Sequence, residues 1–350
     1  MRPCGTFDES YAEDMAIVRT RLQWILLVLG LILLLSIPLF MGGPVVNLVN
    51  LIGITVIAVH GLNILTGYTG QINLGQSAFM AVGAYTSGLL SAKLGVPFWI
   101  GLPCAALAAG IVGLIFGLPS LRVKGFYLAM ATLAAQFIIP TLIVNIRPDF
   151  TGGIHTLVVP SPKLGSFVFR SSQSMYYIII PMTILMTFFA KNLARTGVGR
   201  AFVAIRDNDL AAEVAGVNVF RYKLLAFFIC SVYAGVAGSL WAHWVRAINP
   251  DHFTLMNSIW FLGMLIVGGM GSTAGAIFGV VFLRVLEEAT KILGTHMTSV
   301  FPTLVGSIQA ALTVTAYGMV IILFLIFEPR GLAHRWEMFK ASYRLRPFAY

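Results

Sequence analysis

The chain has 350 residues, of which 58% are hydrophobic and 10% are charged, and its formal net charge is +10. A soluble domain is about half apolar and about one quarter charged, so this composition excludes a soluble globular fold and indicates one polytopic membrane domain over residues 1–350. The basic residues cluster at the ends of apolar segments, which indicates the positive-inside bias of membrane proteins rather than nucleic-acid binding.

Apolar segments that are long enough to cross a bilayer recur along the chain. A helical span needs about 20 predominantly apolar residues. The candidate windows are 22–41, 45–66, 72–92, 97–117, 125–146, 175–190, 223–243, 253–283 and 304–327. None of the 13 Asp and Glu residues lies inside a window. Because intramembrane charges usually mark a proton or ion relay, the sequence predicts a membrane passage whose driving energy comes from elsewhere.

The window 253–283 is interrupted by a glycine cluster at residues 268–272, so it forms either one long broken helix or two short helices. Ten spans place sixteen basic residues inside and seven outside, against thirteen and ten for nine spans. The ten-span topology obeys the positive-inside rule better. The sequence therefore predicts an all-α protein with about ten transmembrane helices, some short or broken, and with both termini in the cytoplasm.

This topology assigns the connecting segments to the two sides of the membrane. The predicted cytoplasmic segments are the N-terminal tail 1–21, the loop 191–222 and the basic tail 328–350, and the predicted external loop is 147–174. The first apolar window lacks a signal-peptide cleavage motif, so it is expected to be a retained span. The three cysteines share no metal-ligand spacing, and neither a metal nor a cofactor is expected.

Small residues recur at a spacing of four in several predicted spans. The stripes are Gly83, Ser87 and Ser91; Gly101, Ala105, Ala109, Gly113 and Gly117; Ala234, Gly238 and Ala242; and Gly271, Gly275 and Gly279. Small side chains let helix backbones approach closely in lipid, where packing drives association. The stripes predict either a tightly packed transport bundle or generic membrane packing.

A glycine-rich polar segment, residues 67–77, leads into the third span near the predicted cytoplasmic side. Glycines that interrupt a helix free backbone groups, which is tolerated at membrane depth only against protein or a water-filled cavity. Neutral amides and hydroxyls can bind a polar solute, and the N-terminus of the following helix can bind a carboxylate. The predicted translocation-path residues are Tyr68, Thr69, Gln71, Asn73, Gln76 and Ser77, with Gln136 from the fifth span. The alternative interpretation is a polar connecting loop.

The predicted cytoplasmic loop 191–222 has the pattern of a short capped helix. Asp207 or Asn208 can cap this helix, and Gly216 can close it. Alanines beside larger apolar side chains form a compact knob that can dock into a groove on a cytosolic partner; the alternative is an ordinary solvated amphipathic loop. The candidate coupling residues are Arg200, Ala204, Arg206, Asp207, Asn208, Ala211, Ala212 and Gly216.

Three stretches of the chain resemble one family. They are residues 67–85 (G-Y-T-G-Q-I-N-L-G-Q-S-A-F-M-A-V-G-A-Y), 199–217 (G-R-A-F-V-A-I-R-D-N-D-L-A-A-E-V-A-G-V) and 328–332 (E-P-R-G-L). They resemble the branched-chain amino-acid permeases of ABC importers, specifically the larger of the two paired permease subunits. Ala211-Ala212-x-x-x-Gly216 resembles the E-A-A-x-x-x-G coupling loop of ABC permeases, with Leu210 in place of the Glu. Relatives often carry His where this chain has Gln76, so no histidine role is transferred there.

The resemblance implies the ABC importer permease fold and a translocation path formed with a second homologous permease. It also implies two cytosolic ATPase subunits, an extracytoplasmic solute-binding protein, and an ATPase-docking role for residues 200–217. The chain contains no Gly-Lys pair and hence no G-x-x-x-x-G-K-[ST] nucleotide loop. The expected function is ATP-driven import of branched-chain amino acids across a bacterial cytoplasmic membrane, by a transport subunit that is not itself an enzyme.

Three alternatives stay open on the sequence alone. Importers of urea, short amides or other amino acids use permeases of the same family, and the segment 67–77 does not separate these solutes from branched-chain amino acids. An ion-coupled secondary carrier can hold sodium with neutral oxygens and often shows inverted repeats, but the broken runs 67–77 and 268–272 share no sequence echo. An intramembrane enzyme needs a nucleophile with a base, or metal ligands, and His60 has no such companion nearby in the sequence.

Overall fold

The computed structural model describes residues 21–118, 126–146, 148–153, 155–165, 167–300 and 305–345. Its helices are α1 (Arg21–Phe40), α2 (Gly43–Leu62), α3 (Gln76–Lys93), α4 (Phe98–Gly117), α5 (Phe126–Asn145), α6 (Pro148–Thr151), α7 (Ser172–Arg195), α8 (Gly197–Asp207), α9 (Asp209–Val214), α10 (Val219–Val245), α11 (Leu255–Gly268), α12 (Thr273–Val300), α13 (Val305–Phe327) and α14 (Gly331–Leu345). Among the described residues, six helices are long and apolar enough to cross a membrane, or up to eight spans if each of two bent helix pairs counts as one. The predicted all-α polytopic membrane fold is confirmed. Of the predicted tail 1–21, only Arg21 lies within the described residues.

The first interruption follows α2. This helix continues as a π-helical turn, Asn63–Tyr68, and the chain then runs without regular structure until α3 begins at Gln76. Gly70 has a φ of 72°, a left-handed conformation that glycine adopts without steric cost. π-Helical turns inside helices frequently mark functional sites. The predicted break within residues 67–77 is therefore present.

The second interruption separates α11 from α12 at residues 268–272. Gly269 and Gly271 have φ values of 110° and 78°, which bulkier residues rarely adopt. The helix pair changes direction by 118° at this break. The run 253–283 thus forms two helices that meet at the glycine cluster, as one of the two sequence interpretations expected.

The helix α12 differs from the prediction because it does not end with the apolar window at Leu283. It continues through Arg284, Glu287 and Lys291, which the ten-span topology had assigned to an outer connection. The prediction that no carboxylate accompanies a span is wrong here, since Glu287 belongs to the arm Thr273–Gly294 of an apolar bent pair. Charges three and four residues apart on a helix face each other and can pair, so α12 carries these charges without leaving them isolated.

Helix α10 lies at the centre of the bundle and packs closely against α3 and α4. A methyl group at Gly83 would lie 2.3 Å from the Gly235 carbonyl oxygen, and one at Gly238 would lie 2.0 Å from the Met80 carbonyl oxygen. A methyl group at Gly113 of α4 would lie 2.0 Å from the Ser231 hydroxyl oxygen of α10. These stripes of small residues are therefore surfaces where helix backbones touch, which is how helices associate in lipid.

The predicted external loop 147–174 is folded onto the end of the bundle. Its strand β1 (Leu157–Val158) pairs antiparallel with β4 (Ala247–Ile248), directly after α10. A second small hairpin joins β2 (Lys163–Leu164) to β3 (Phe167–Val168). The ring of His243 on α10 hydrogen-bonds the Pro160 carbonyl (3.1 Å), so the loop has a fixed attachment to the central helix.

Candidate translocation site and coupling segment

The interrupted segment 67–77 is held in shape by its own side chains. The Thr66 hydroxyl donates to the Gln71 carbonyl (2.9 Å), and the Thr69 hydroxyl donates to the Ile64 carbonyl (3.0 Å). Thr69 and Gln71 are both buried. These bonds satisfy carbonyl groups around the break, as buried backbone groups require. The segment is an ordered part of the bundle interior.

Two predicted path residues, Asn73 and Gln76, connect three helices. The Gln76 side-chain amide donates to the Ala58 carbonyl of α2 (2.8 Å). Its carbonyl oxygen accepts from the Asn73 amide (3.2 Å) and from the Cys230 thiol of α10 (3.1 Å). Both amide side chains are fully buried. In this conformation they hold α2, α3 and α10 together and do not line an open space.

The first turn of α3 has its free N–H groups bound by protein. The N–H of Ser77 donates to the Ser258 hydroxyl (2.9 Å), and the N–H of Ala78 donates to the Gln136 side-chain carbonyl (3.0 Å). The Ser258 hydroxyl donates to the same Gln136 oxygen (2.9 Å), and the Gln136 amide donates to the Phe253 carbonyl (2.7 Å). The helix N-terminus that could have bound a solute carboxylate is thus capped by α5 and α11.

The remaining two predicted path residues lie at the break itself. The Tyr68 hydroxyl is 3.1 Å from the Thr273 hydroxyl at the start of α12, so it joins the first break to the second. The Gln71 side chain is only 5% exposed, and neither of its amide atoms has a hydrogen-bond partner among the described residues. A buried amide without a partner is costly, so Gln71 is the predicted path residue with unused hydrogen-bonding capacity.

A cavity of about 410 Å³ lies between α2, α3, α10, α11 and α12 and is named here the polar cavity. Its polar lining residues are Thr55, Ser77, Asp251, His252, Thr254, Asn257, Arg284 and Glu287, and its apolar lining residues are Leu51, Ile54, Met80, Trp241, Phe253, Trp260 and Phe261. Of the predicted path residues only Ser77 lies in this wall. The volume falls within the range of small-molecule pockets.

Arg284 links two polar residues of this wall, Thr55 and Glu287. Its Nη1 donates to the Glu287 carboxylate (2.7 Å), and its Nε and Nη2 donate to the Thr55 hydroxyl (3.2 and 3.0 Å). The Arg284 and Glu287 side chains are 11% and 12% exposed. Glu287 also accepts from Lys291 (3.0 Å) and from the Tyr317 hydroxyl (3.3 Å). A buried ion pair of this kind is tolerated because its remaining hydrogen-bonding groups are also bound.

Sequence reasoning missed Arg284 and Glu287 because the apolar window ended one residue earlier. The signal that could have found them is the spacing of Arg284, Glu287, Glu288 and Lys291, which continues the helical period beyond the window. Alternating signs at spacings of three and four indicate a helix that continues, with its charges paired along one face.

The short capped helix predicted after residues 207–208 is present as α9, and α8, which the sequence analysis did not predict, precedes it. The Asn208 side-chain oxygen accepts from the N–H groups of Leu210 and Ala211 (both 3.1 Å), so Asn208 is the cap that the sequence offered as one of two candidates. Gly216 follows with a φ of 88°. Leu210 and Val214 are 64% and 91% exposed, which leaves an apolar knob on the outside of the described bundle.

Arg206, in α8, hydrogen-bonds the first interruption and lies near the second. Its Nη1 donates to the Gly67 carbonyl (3.0 Å), and a methyl group at Gly271 would lie 3.1 Å from the same nitrogen. The Asn63 side chain accepts from the Gly271 N–H (2.9 Å) and donates to the Ser272 carbonyl (3.2 Å). We name the group Asn63, Gly67, Arg206 and Gly271 the junction. Of the other candidates, Arg200 Nη1 donates to the Arg195 carbonyl at the end of α7 (3.4 Å), and Asp207 binds the Arg206 guanidinium (3.1 Å).

The described residues contain no group of three or more His, Cys, Asp or Glu side chains arranged to hold a metal ion. His60, the intramembrane histidine, is 3.1 Å from the Thr187 hydroxyl of α7 and so links two helices. The geometry is that of a multi-pass membrane protein with a polar cavity, two broken helices and a short helix, α9, that exposes apolar side chains.

Comparison with known proteins identifies the family. Residues 45–327 match the model of the branched-chain amino acid transport system permease component family, and the chain belongs to this family. The high-affinity branched-chain amino acid transport system permease protein LivM of Escherichia coli is 30% identical, over 89% of this chain and 75% of the relative. The fructose import permease protein FrcC of Rhizobium meliloti is 25% identical over 65% of each chain. The autoinducer 2 import system permease protein LsrC of Salmonella paratyphi B is 27% identical, over 64% of this chain and 66% of the relative. No solved structure matches the chain.

These relatives are named as transport permease proteins, in agreement with the prediction of a transport subunit and not an enzyme. A permease component is by its name one part of a larger transport system.

Proposed function

We propose that this chain is one of two homologous permease subunits of an ATP-driven importer for branched-chain amino acids, in the cytoplasmic membrane of a bacterium. Two cytosolic ATPase subunits supply the energy, and an extracytoplasmic binding protein delivers the solute. The family match over residues 45–327 and the similarity to LivM support the solute class. The observation that carries the mechanism is the contact of Arg206 with the broken helix at Gly67.

In this mechanism α8 and α9 dock into the ATPase subunits, and the exposed Leu210 and Val214 form the docked knob. Movement of the coupling helix is transmitted through Arg206 to the junction, where both interrupted helices meet. Glycine-rich breaks absorb changes of backbone angle more readily than intact helices do. ATP binding can therefore change the access state of the bundle by moving two broken helices together.

The predicted path residues supply hydrogen-bonding groups to the solute during this cycle. Gln71 has unused hydrogen-bonding groups, while Asn73, Gln76 and Gln136 exchange their present partners when the helices separate. The folded loop 147–174 is proposed as the contact surface for the binding protein, because its strand pairing with β4 connects that surface to the end of α10.

The solute requires a direct test, because related permeases import fructose or autoinducer 2. Urea and other short amides are the alternative solutes within the same mechanism. An ion-coupled carrier is the alternative mechanism, and the exposed apolar knob on α9 argues against it, since a carrier has no ATPase to cover such a surface.

The test is uptake of labelled leucine into vesicles that hold the complete complex and its binding protein. The native chain is compared with the double variant Arg206→Glu and Ala212→Glu and with the control Arg221→Glu, which lies outside α8 and α9. Uptake should require ATP, persist in the control and collapse in the double variant at equal membrane insertion. Full uptake by the double variant contradicts the coupling assignment, and uptake driven by an ion gradient without ATPases contradicts the mechanism. ATP-driven uptake of urea or fructose in place of leucine changes only the solute.

A further inference from the structure

The polar cavity extends from the middle of α2 to the segment 251–254, which follows β4. Thr55, whose hydroxyl binds Arg284, is near the middle of the 26-residue span Gly43–Tyr68. Ser77, in the first turn of α3, faces the same cavity and is hydrogen-bonded to Ser258 in the first turn of α11. A charged residue at this depth is expensive unless it serves a function or has a partner. The Arg284 side chain, which is mostly buried, therefore differs in its surroundings from the exposed arginines at the helix ends.

Arg284 retains hydrogen-bonding capacity that can serve a ligand. A guanidinium has five N–H donors, and its bonds to Glu287 and Thr55 use one donor on each of its three nitrogens. One N–H on each terminal nitrogen has no partner among the described residues. Two donors on the terminal nitrogens of arginine match the geometry of a carboxylate.

The opposite charge is also present in the wall. Asp251, an exposed residue that precedes α11, lines the cavity, and none of the ion pairs of the described residues includes it. Glu287 is already bound to Arg284, Lys291 and Tyr317. Asp251 is thus the carboxylate that can accept hydrogen bonds from an ammonium group of a ligand.

Aromatic side chains supply the apolar part of the wall. Trp241 packs edge-on against Phe253 with ring centroids 5.4 Å apart, and Trp260 stacks on Tyr317 at 5.2 Å. Phe261 completes this side of the cavity. The neighbouring aromatic rings keep these side chains in place, so they can contact an apolar group without first being ordered.

We propose that the polar cavity is a binding site for a zwitterionic α-amino acid with an apolar side chain. Arg284 binds its carboxylate, Asp251 binds its ammonium group, and Trp241, Trp260 and Phe261 contact its side chain. A zwitterion engages both Arg284 and Asp251, whereas a carboxylate alone leaves Asp251 without a ligand group and an amine alone leaves the two remaining Arg284 donors without one. This site rests on the proposed function, since it gives the imported solute a position within this chain.

The test measures occupancy of the cavity directly, in the complex of both permeases and the ATPase subunits without nucleotide. The chain's own cysteines are first replaced (Cys4→Ser, Cys104→Ala, Cys230→Ser). The substitution Asn257→Cys then places one thiol in the cavity wall, and the rate at which a small reagent labels this thiol is measured. Leucine should slow labelling. Two analogues test the charged groups separately: the amide of leucine lacks the carboxylate, and 4-methylpentanoate lacks the ammonium group. Each should protect the thiol at least about tenfold more weakly than leucine does, because each loses a hydrogen bond to a charged group.

Substitutions assign the contacts to residues. Arg284→Gln should remove protection by leucine, Asp251→Asn should weaken it about tenfold, and the matched control Arg221→Gln should leave it unchanged. If Arg284→Gln does not assemble, the comparison of leucine, its amide and 4-methylpentanoate in the complex with unchanged Arg284 and Asp251 still tests the site. Equal protection by leucine and its amide overturns the assignment of Arg284, and so does unchanged protection in an assembled Arg284→Gln complex.

The proposed function and this site fail in different ways. A complex that imports leucine with ATP but shows no protection of the introduced thiol by leucine contradicts the site and leaves the function intact. A complex that shows neither uptake nor protection contradicts both. Protection that leucine shares equally with an unrelated solute such as fructose shows that the wall does not recognise a zwitterion, and it overturns the proposal.

Discussion

The close contact between the backbones of α3 and α10 makes a sharp prediction about Gly238. A methyl group at this position would lie 2.0 Å from the Met80 carbonyl oxygen and 3.0 Å from the Ala84 nitrogen. Carbon–oxygen contacts normally lie at about 3.3 Å or more, so Gly238→Ala forces α3 and α10 apart by roughly 1 Å at their crossing. Overpacking of this size destabilises a core by about 1–3 kcal/mol, and backbone atoms cannot move aside as a side chain can.

The assay is the midpoint of unfolding of the purified complex in increasing SDS, with helicity as the signal. The matched control is Gly318→Ala in α13, where a methyl group meets no atom within 4 Å. The control should unfold within about 0.5 kcal/mol of the native protein, and Gly238→Ala should unfold at a clearly lower SDS fraction. Equal midpoints for the two variants would refute the argument that backbone contact between α3 and α10 stabilises the bundle.

Three further predictions concern hydrogen-bonding side chains. Arg206→Gln removes the bond to the Gly67 carbonyl, so ATP-driven uptake should fall about tenfold while ATP hydrolysis by the complex persists. A proportional fall in uptake and hydrolysis contradicts a transmitting role for Arg206. A fall in uptake no larger than that of the control Arg221→Gln contradicts it as well. Asn208→Ala should lower the stability of α9 by about 1 kcal/mol, measured as faster hydrogen exchange at residues 210–214, and the control Asn208→Asp should retain the cap. Unchanged exchange in the alanine variant contradicts the capping role. Gln136→Leu leaves the N–H of Ala78 without its acceptor and should destabilise the bundle by about 1–3 kcal/mol in the SDS assay. An unchanged SDS midpoint contradicts a stabilising contact between α3 and α5.

The fold was largely predictable because membrane helices follow local rules. The apolar windows, the breaks at 67–77 and 268–272 and the small-residue stripes each depend on neighbouring residues of the same segment, and each is present in the structure. The cap of α9 by Asn208 was predictable for the same reason, since capping concerns residues two and three positions along the chain.

The site was less predictable because its contacts join distant segments. Asn73 and Gln76 were path candidates because of their polarity. Their neighbouring residues in the sequence do not indicate that Ala58 and Cys230, from other helices, hydrogen-bond Gln76. Thr55 and Arg284 are brought together only by the 118° turn between α11 and α12, whose angle the glycine cluster permits but does not specify.

We expect energetic coupling between α8 and the polar cavity, because hydrogen bonds connect the two breaks. Arg206 touches the first break at Gly67, and the Tyr68 hydroxyl contacts Thr273, where α12 begins. The same helix carries Arg284 about three turns further on, at the cavity. A helix transmits displacement along its axis because its hydrogen bonds resist stretching, so a shift of α8 that moves Gly67 also moves the start of α12 and, with it, the guanidinium that would hold a solute. Coupling is reciprocal for binding free energies, and a solute held by Arg284 must therefore in turn bias the position of the coupling helix.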